Sequence, residues 1–567
     1  PDKNSSSSTI GSPSSRTNII HPQVYFSSLP PVRVVFAVTM EGSARKVITV
    51  RSALIVKNRL ETPMELRLDS PSAPDKPVVL PAIMPGDSFA VPLHLTSWRL
   101  QARPKGMGVF FCKVPIHWTN VVKTAEVSSS KRECHSMDTE KSRFFRFCVA
   151  IKKENYPDYM PSNIFSDSAK QIFRQPGHTI YLLPTVVICN LLPCELDFYV
   201  KGMPINGTLK PGKEAALPTA DTSQNIELGV SLENFPLCKE LLIPPGTQNY
   251  MVRMRLYDVN RRQLNLTIRI ACRAEGSLKI FISAPYWLIN KTGLPLIFRQ
   301  DNAKTDAAGQ FEEHELARSL SPLLFCYADK EQPNLCTMRI GRGIHPEGMP
   351  GWCQGFSLDG GSGVRALKVI QQGNRPGLIY NIGIDVKKGR GRYIDTCMVI
   401  FAPRYLLDNK SSHKLAFAQR EFARGQGTAN PNGYISTLPG SSVVFHWPRN
   451  DYDQLLCVRL MDVPNCIWSG GFEVNKNNSF HINMRDTLGK CFFLRVEITL
   501  RGATYRISFS DTDQLPPPFR IDNFSKVPVV FTQHGVAEPR LRTEVKPMMS
   551  LDYAWDEPTL PPFITLT

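Results

Sequence analysis

The chain has 567 residues, 42% of them hydrophobic, and its 67 Lys and Arg against 50 Asp and Glu give a formal net charge of +17. That length predicts three to five domains, and the hydrophobic content excludes a chain too polar to build a core. No stretch of about 18 uninterrupted apolar residues is present, which excludes a predicted transmembrane helix.

The chain opens on a Ser-rich leader, residues 1–31, which we predict to be disordered because it has few apolar residues to bury. The alternating segment at 32–50 then predicts the first β-hairpin. Two polar stretches interrupt the strands that follow: residues 123–143 are interpreted as a disordered loop and residues 158–180 as a linker. Because the first residue is not Met, we expect the chain to be part of a longer protein.

One stretch of sequence recurs five times along the chain. Each copy has an apolar strand that ends in Asn, a short run of turn-forming residues and a second alternating strand; the five residues are Asn58, Asn190, Asn290, Asn409 and Asn523. A Pro-Gly turn, a pair of aromatic residues and a long hairpin recur in the same order within the intervals. Landmarks that recur in register every roughly 100–130 residues indicate tandem modules.

These modules contain short alternating strands and almost no helical periodicity. The predicted fold class is therefore all-β, a tandem array of β-sandwich repeats packed end to end with a truncated last repeat. The predicted boundaries are repeat 1 at 32–157, repeat 2 at 181–283, repeat 3 at 284–397, repeat 4 at 398–513 and an incomplete repeat 5 at 514–567.

The recurring Asn has three interpretations. Glycosylation is one, because Asn290, Asn409 and Asn523 lie in N-x-[ST] triplets, but Asn58 and Asn190 keep the amide without the triplet. An Asn at the junction of a strand and a turn can also bond backbone groups that the sheet has released, which makes it a structural pin. Direct contact with a ligand is the third interpretation, and the sequence leaves it open.

Signatures of catalysis and metal binding are missing from the sequence. It contains no HExxH, GxSxG or GxxxxGK[ST], so we predict no enzyme activity, no metal site and no cofactor. Its 14 Cys include no CxxC and often lie in apolar runs, which favours a reducing compartment over a disulfide scaffold.

An array of β-sandwiches offers exposed sheet edges, which suit the binding of extended peptides. The candidate partner-binding aromatic residues are Phe519, Tyr553 and Trp555. An alternative is that the basic surface binds anionic lipid or nucleic acid electrostatically. A third, weaker interpretation is a secreted adhesion array.

Several motifs resemble a known family. "APYWLINKTGLPL", "APRYLLDNK", "LDYAWDEP" and the Asn found once per repeat are similar to the adaptor-binding (VAB) region of the vacuolar protein sorting-associated protein thirteen family of bridge-like lipid-transfer proteins. The wording of repeats 3 to 5 is most similar to D-type members. The resemblance covers residues 32–567 and maps the family's repeat Asn onto the five Asn named above.

The resemblance implies an array of six β-sandwich repeats that recruits its parent protein to organelles. The implied partners are membrane-resident adaptor proteins with Pro-containing motifs, which dock on the last two repeats. From the charge and composition of the chain itself, we expect at most weak contact to anionic lipid, and no nucleic acid, because no Arg/Gly/aromatic repeat is present. The implied location is cytoplasmic, at the periphery of organelle membranes and contact sites such as those of mitochondria, Golgi and endosomes. This chain departs from the family pattern because no sixth Asn stretch is present.

Overall fold

The computed structural model of the chain describes residues 7–9, 32–121, 127–141, 143–156, 177–272 and 277–567. Strands dominate these ranges, and the helical elements within them are short: the α-helical turns Glu312–Leu316 and Arg420–Ala423, and the 3-10 turns Leu93–Leu95, Gly391–Tyr393 and Pro539–Leu541. The predicted all-β class is therefore confirmed. Apart from Ser7–Thr9, which form a short strand, the predicted disordered leader lies outside the described residues.

The chain divides into two compact units. The first is Pro1–Leu256 with Leu266–Ser283, and the second is Tyr257–Asn265 with Ala284–Thr567. Apart from Tyr257–Asn265, which are part of repeat 2, repeats 1 and 2 belong to the first unit, and repeats 3, 4 and 5 belong to the second.

The first unit opens on a separate three-stranded sheet. Its strands are β1 (Ser7–Thr9), β2 (Val34–Glu41) and β3 (Arg45–Ser52), in that order. Repeat 1 follows with β4 (Leu54–Asn58), β5 (Met64–Ser70), β6 (Ala73–Val79), β7 (Ser88–Ala90), β8 (Arg99–Pro104), β9 (Val127–His135), β10 (Phe144–Glu154) and β11 (Gly177–Pro184). These strands form two sheets, in the orders β7-β4-β11-β10-β9 and β6-β5-β8.

Repeat 2 repeats this arrangement. Its strands are β12 (Val186–Asn190), β13 (Leu196–Val200), β14 (Ile205–Leu209), β15 (Glu214–Ala216), β16 (Ile226–Leu232), β17 (Leu237–Cys238), β18 (Leu241–Ile243), β19 (Tyr250–Tyr257), β20 (Gln263–Cys272) and β21 (Leu278–Ser283). The larger sheet has the order β15-β12-β21-β20-β19-β17, and the smaller one β14-β13-β16-β18.

The second unit continues with repeats 3 and 4. Repeat 3 has β22 (Tyr286–Asn290), β23 (Leu296–Gln300), β24 (Leu323–Phe325), β25 (Cys336–Ile340), β26 (Gly348–Pro350), β27 (Ser362–Gln371), β28 (Leu378–Lys388) and β29 (Cys397–Pro403). Repeat 4 has β30 (Tyr405–Asn409), β31 (Leu415–Gln419), β32 (Ile435–Thr437), β33 (Ser442–Phe445), β34 (Leu456–Leu460), β35 (Asn478–Arg485), β36 (Cys491–Arg501) and β37 (Thr504–Ser510). Their larger sheets have the orders β24-β22-β29-β28-β27-β26 and β33-β30-β37-β36-β35, and their smaller sheets β23-β25 and β32-β31-β34.

Repeat 5 is shorter than the others. It has β38 (Phe519–Asp522), β39 (Val529–Gln533), β40 (Thr543–Val545), β41 (Ser550–Tyr553) and β42 (Ile564–Leu566), in the sheets β38-β41 and β40-β39-β42. The four complete repeats share one arrangement around the strand that ends in Asn. That strand pairs antiparallel with the strand after the Pro-Gly segment or its equivalent, and parallel with the last strand of the repeat.

The core of each repeat lies between its two sheets. In repeat 4, Leu407 on β30, Phe417 on β31 and Phe509 on β37 are fully buried, and the rings of Phe417 and Phe509 have centroids 5.0 Å apart. Alternation of apolar and polar residues places these side chains on one face of each strand, as a two-sheet sandwich requires.

The structure corrects two sequence interpretations in repeat 1. The segment 123–143 is not a loop throughout, because Val127–His135 forms β9 and pairs with β10 along its length. Strand β9 is the outer strand of its sheet, so a polar sequence is compatible with it. Of the predicted linker 158–180, only residues 177–180 are described, and they begin β11 rather than connect two repeats.

A predicted boundary also moves in repeat 3. Its predicted end is residue 397, but β29 runs from Cys397 to Pro403 and pairs in parallel with β22 of the same repeat. Similarly, the parallel pairing of β11 with β4 carries repeat 1 to Pro184. The cause is that each closing strand continues almost directly into the first strand of the next copy.

Candidate functional site

The side chain of Asn409 shows what the recurring amide does. Its Nδ2 donates to the carbonyl oxygens of His413, at 2.8 Å, and of Thr437, at 3.4 Å. Its Oδ1 accepts from the backbone N–H and the hydroxyl of Ser411, at 3.0 and 2.6 Å. Asn409 is fully buried, so these bonds replace those that water would make. The amide therefore ties the end of β30 to the turn that follows it and to β32.

Asn58 and Asn190 make the same set of backbone bonds and are also fully buried. In both, Nδ2 donates to the carbonyl four residues ahead, at 2.9 and 3.0 Å, and to a carbonyl from another part of the repeat, at 2.8 and 3.0 Å. Oδ1 accepts the N–H two residues ahead, at 3.0 and 2.9 Å. Asn523 follows the same pattern, with Nδ2 donating to Val527 at 2.8 Å and to Val545 at 2.9 Å.

Asn290 departs from this pattern. It is half-buried, and its Nδ2 donates to the carbonyl of Leu294 at 2.7 Å. Within the described ranges it has no second carbonyl partner of the kind that the other four amides have. Its Oδ1 accepts from the N–H and the hydroxyl of Thr292, at 3.0 and 2.6 Å, so the bonds to the turn are kept.

These contacts bear on glycosylation. Attachment of a glycan requires an exposed amide nitrogen, whereas Nδ2 of Asn409 and of Asn523 makes at least two hydrogen bonds and both residues are buried. The geometry therefore favours the structural interpretation for these two residues.

The Pro-Gly turn closes the other side of the same corner. The N–H of Gly86, Gly212 and Gly440 donates to the backbone carbonyl of the repeat Asn, at 2.8 Å in all three repeats. Their φ angles are 83°, 76° and 77°, a left-handed conformation that glycine adopts without strain. In repeat 5 the matching place is taken by Met548, with φ 59° and a side chain that is 69% exposed.

The three candidate partner-binding aromatic residues have different environments. Phe519 is 37% exposed and packs edge-on against the half-buried Trp555, with ring centroids 5.1 Å apart. Tyr553 is fully buried, and its hydroxyl donates to Oδ2 of Asp556 at 3.0 Å. Burial also raises the pKa of Tyr553. The structure therefore corrects the expectation for Tyr553, which is a core residue and presents no ring to a partner.

Strand β38, which carries Phe519, is paired on one side among the described residues. It pairs with β41 in a two-stranded sheet, and Phe519 lies opposite Tyr553. The equivalent strands β4, β12, β22 and β30 each have a second, parallel neighbour on the other side. Among the residues that the structure describes, β38 has β41 as its paired strand, and none is described on the side where the other repeats hold their parallel strand.

A buried ion pair joins repeat 4 to repeat 5, and sequence reasoning missed it. Arg485 on β35 and Asp556 are 1% and 2% exposed, with Nε to Oδ1 at 2.6 Å and Nη2 to Oδ2 at 2.8 Å. Arg485 also donates to the hydroxyl of Thr543 at 2.8 Å, and Asn483 donates to the carbonyl of Ala554 at 3.1 Å. No pattern around Arg485 signals its role, since its partner lies 71 residues away.

The described ranges contain neither a metal-binding cluster nor a membrane-spanning helix. No group of three or more His, Cys, Asp or Glu side chains there could hold a metal ion. No helix in the same ranges is long and apolar enough to cross a membrane.

Comparison with known proteins adds independent findings. A family model described as "Vacuolar-sorting associated protein 13, adaptor binding domain" matches residues 15–561. The chain is 99% identical over 567 residues to human "Intermembrane lipid transfer protein VPS13D", covering 100% of the chain and 13% of that protein. It is 34% identical over 538 residues to the Drosophila melanogaster protein "Intermembrane lipid transfer protein Vps13D", covering 93% of the chain and 13% of that protein. It is 23% identical over 551 residues to the VPS13 protein of Chaetomium thermophilum, covering 90% and 16%. The chain thus spans less than a fifth of the length of these relatives.

Proposed function

The chain belongs to the vacuolar-sorting associated protein 13 adaptor binding domain family, which confirms the resemblance found in its motifs, and from this premise we propose that it is a non-enzymatic recognition module. In this proposal it recruits a longer lipid-transfer protein to organelle membranes and contact sites by binding adaptor proteins there. The names of the similar proteins support the connection to lipid transfer.

The one-sided pairing of β38 among the described residues is the observation that supports a binding mode. An extended peptide can add to a sheet edge by pairing its backbone with unpaired N–H and C=O groups. On β38 such a peptide would occupy the place that the parallel closing strand fills in the complete repeats. The ring of Phe519 on β38 packs against that of Trp555, two residues beyond the end of β41, and this ring pair supplies an apolar contact for a side chain of the peptide.

A Pro-x-Pro segment suits an edge of this kind. Successive N–H groups of a strand point to opposite sides, so two Pro residues separated by one residue lack their N–H groups on the same side. The residue between them can then donate its N–H to β38. The side of the peptide backbone that lacks N–H groups, at the two Pro residues, faces away from β38. The outward side cannot accept a further strand, which limits the complex to one peptide.

The experiment measures binding of a fluorescent Pro-x-Pro peptide to the 567-residue chain by polarisation. We expect the peptide to bind. N-methylation of its central residue should weaken binding by about tenfold or more, because the methyl group replaces the N–H that donates a hydrogen bond to the backbone of β38. Phe519→Ala should weaken binding, whereas the matched variant Phe524→Ala, at a residue 80% exposed in the same repeat, should not.

A longer chain provides the decisive comparison. If a chain that continues beyond residue 567 no longer binds the peptide, its own following strand occupies the edge of β38, and the proposed binding mode is wrong. Equal binding of the N-methylated and unmodified peptides would also contradict backbone pairing.

A further inference from the structure

The large sheet of repeat 2 has an outward face that is rich in arginine. On β19, Met254 and Leu256 are buried in the core, while Met251, Arg253 and Arg255 alternate with them and are exposed. Because side chains of a strand alternate between the two faces of its sheet, the three exposed residues point away from the core together.

Neighbouring strands extend this outward face with further cations. On β20, Arg269 lies between the buried Ile268 and Ile270 and therefore points outward. Beside β19, the backbone N–H of Lys239 donates to the carbonyl of Arg255 at 2.9 Å, which places the exposed Lys239 next to that strand. We call Lys239, Met251, Arg253, Arg255 and Arg269 the basic face of repeat 2.

Acidic residues are few beside Arg253 and Arg255. Among the six strands of this sheet the one carboxylate is that of Glu214, on the outer strand β15 at the opposite edge from β17 and β19. Glu214 already pairs with Lys279 on β21, at 2.6 Å. Within the described residues, neither Arg253 nor Arg255 forms an ion pair within 4 Å, so their charges face solvent.

Apolar side chains accompany the cations. Met251 is 53% exposed on the basic face itself, and Leu237, which precedes Lys239 by two residues, is 55% exposed. Single exposed apolar residues are ordinary on protein surfaces, but cations interspersed with exposed Met and Leu suit the boundary between lipid headgroups and acyl chains.

We propose that the basic face of repeat 2 binds the surface of a bilayer that contains anionic phospholipids. Arginines on one face of a sheet can contact several headgroup phosphates or carboxylates at once, while Met251 and Leu237 enter the headgroup layer. Each basic side chain near such a surface raises the partition coefficient about fivefold, so several acting together give measurable binding. This contact is separate from adaptor binding at repeat 5 and does not depend on it.

Vesicle sedimentation tests the proposal with the 567-residue chain. The chain should sediment with vesicles of phosphatidylcholine containing about 30% phosphatidylserine, and not with phosphatidylcholine alone. Charge reversal in the double variant Arg253→Glu, Arg255→Glu should lower the partition coefficient by about 25-fold or more. The variant Arg253→Lys, Arg255→Lys keeps both charges and should bind within about threefold of the original chain.

A matched control distinguishes the effect of the basic face from the effect of the net charge of the chain. Lys210→Glu with Lys213→Glu makes the same change in charge in the same repeat, at exposed residues of the turn between β14 and β15, and should leave binding within about twofold. Binding should also disappear when the salt concentration rises to about 0.5 M.

Three results would overturn the proposal. The first is equal loss of binding in the two charge-reversal variants, which would make the effect one of net charge. The second is equal binding to neutral and anionic vesicles, or to neither. The third is tighter binding of a DNA duplex than of vesicles with the same dependence on Arg253 and Arg255, which would make the partner a nucleic acid.

Discussion

At the scale of single residues, the repeat Asn is suited to its place by the chemistry of a primary amide. An amide can donate two hydrogen bonds and accept two from one short side chain. Asn409 uses this whole capacity on the turn after β30 and on the carbonyl of Thr437. Asp would lack the two donors, and Gln would place its amide one methylene farther from the strand. The residue type therefore follows from the number and position of backbone groups at the corner.

Replacing Asn409 by Ala should destabilise repeat 4 by about 2–4 kcal/mol. The change leaves the buried carbonyls of His413 and Thr437 and the N–H of Ser411 without their partner, and each unsatisfied buried group costs about 1–3 kcal/mol. Hydrogen exchange of the peptide 405–419, followed by mass spectrometry in increasing urea, measures the loss.

Asn290→Ala is the matched comparison for this prediction. Asn290 is half-buried and donates to one carbonyl, that of Leu294. Its replacement by Ala should therefore lower stability less than Asn409→Ala does. Equal losses at both positions, or no loss at Asn409, would contradict the view that the strength of the pin depends on its buried backbone partners.

The position of each amide in its strand could be predicted from the sequence, but its partners could not. The recurrence of Asn before a turn identified all five residues, and bonding to the following turn is a local interaction that sequence spacing carries. The second carbonyl, such as Ile83 for Asn58, lies 25 residues away and depends on how the sheets close. Burial of Tyr553 was missed for the same reason, since its partner Phe531 comes from another strand.

At the scale of elements, repeat 4 and repeat 5 meet through a buried charged pair. The guanidinium of Arg485 and the carboxylate of Asp556 are both almost fully removed from solvent, and each makes further bonds to neighbours. Such a pair adds little net stability compared with apolar residues, but removal of one partner leaves an uncompensated charge. Its role is therefore to determine how strand β35 fits the segment after β41.

Arg485→Ala should destabilise the contact of repeats 4 and 5 by about 3–5 kcal/mol, because it leaves the carboxylate of Asp556 buried without its cation. Urea unfolding followed by Trp fluorescence measures the loss, since Trp555 lies beside Asp556 in sequence. The control is Arg520→Ala, which removes an ion pair to Asp522 whose arginine is 68% exposed, and which should leave stability nearly unchanged because solvent screens the pair. Similar effects of the two variants would show that burial does not decide the cost.

Acid should weaken the contact of repeats 3 and 4 through His446. Its Nε2 lies 3.0 Å from the carbonyl oxygen of Thr292, its ring packs edge-on against Tyr380 at 5.5 Å, and burial lowers its pKa. The folded chain therefore resists a proton that the unfolded chain takes up near pH 6.5. Stability from this contact is fully present above about pH 6.5 and is lost as the pH falls through that value toward the lower folded pKa.

Hydrogen exchange of the peptide 286–300, corrected for intrinsic rates, should show lower protection at about pH 5.5 than at about pH 7.5. His446→Gln removes the titrating group and keeps an N–H that can donate to Thr292, so its protection should change less with pH. A variant whose pH dependence equals that of the original chain would assign the effect to another group, such as His345, whose pKa is also lowered by burial.

At the scale of the whole molecule, the sequence predicted the repetition but not the limits of each copy. Alternation and turn residues indicate strands, whereas the parallel pairing of β29 with β22 is a contact across more than 100 residues. That pairing, together with the antiparallel pairing of β29 with β28, shows that Cys397–Pro403 belongs to repeat 3. The sequence does not reveal strand β9, because the outermost strand of a sheet needs few apolar residues. Among its residues whose burial is described, Cys134 alone is fully buried.

The cysteines test the state of the whole chain, because the structure describes all fourteen and pairs none of them in a disulfide. Burial raises the pKa of the thiols of Cys134 and Cys457 to about 12 and of Cys148 to about 11, so few thiolates form at about pH 8. Ellman's reagent should therefore modify the exposed Cys272 first and the buried thiols only as the chain unfolds. Cys272→Ser should remove the fast phase.

In denaturant without reductant, all fourteen thiols of freshly purified chain should react. That number follows if the apolar sandwich cores, rather than covalent links, stabilise the repeats, as expected for a protein of a reducing compartment. Thiols that react only after reduction would instead reveal disulfides and support the secreted adhesion array.

Buried thiols become accessible when their own repeat opens, so the order of their modification also shows which repeat unfolds first. Early reaction of Cys457 and Cys466 would show that repeat 4 unfolds before repeat 1, which contains Cys134 and Cys148.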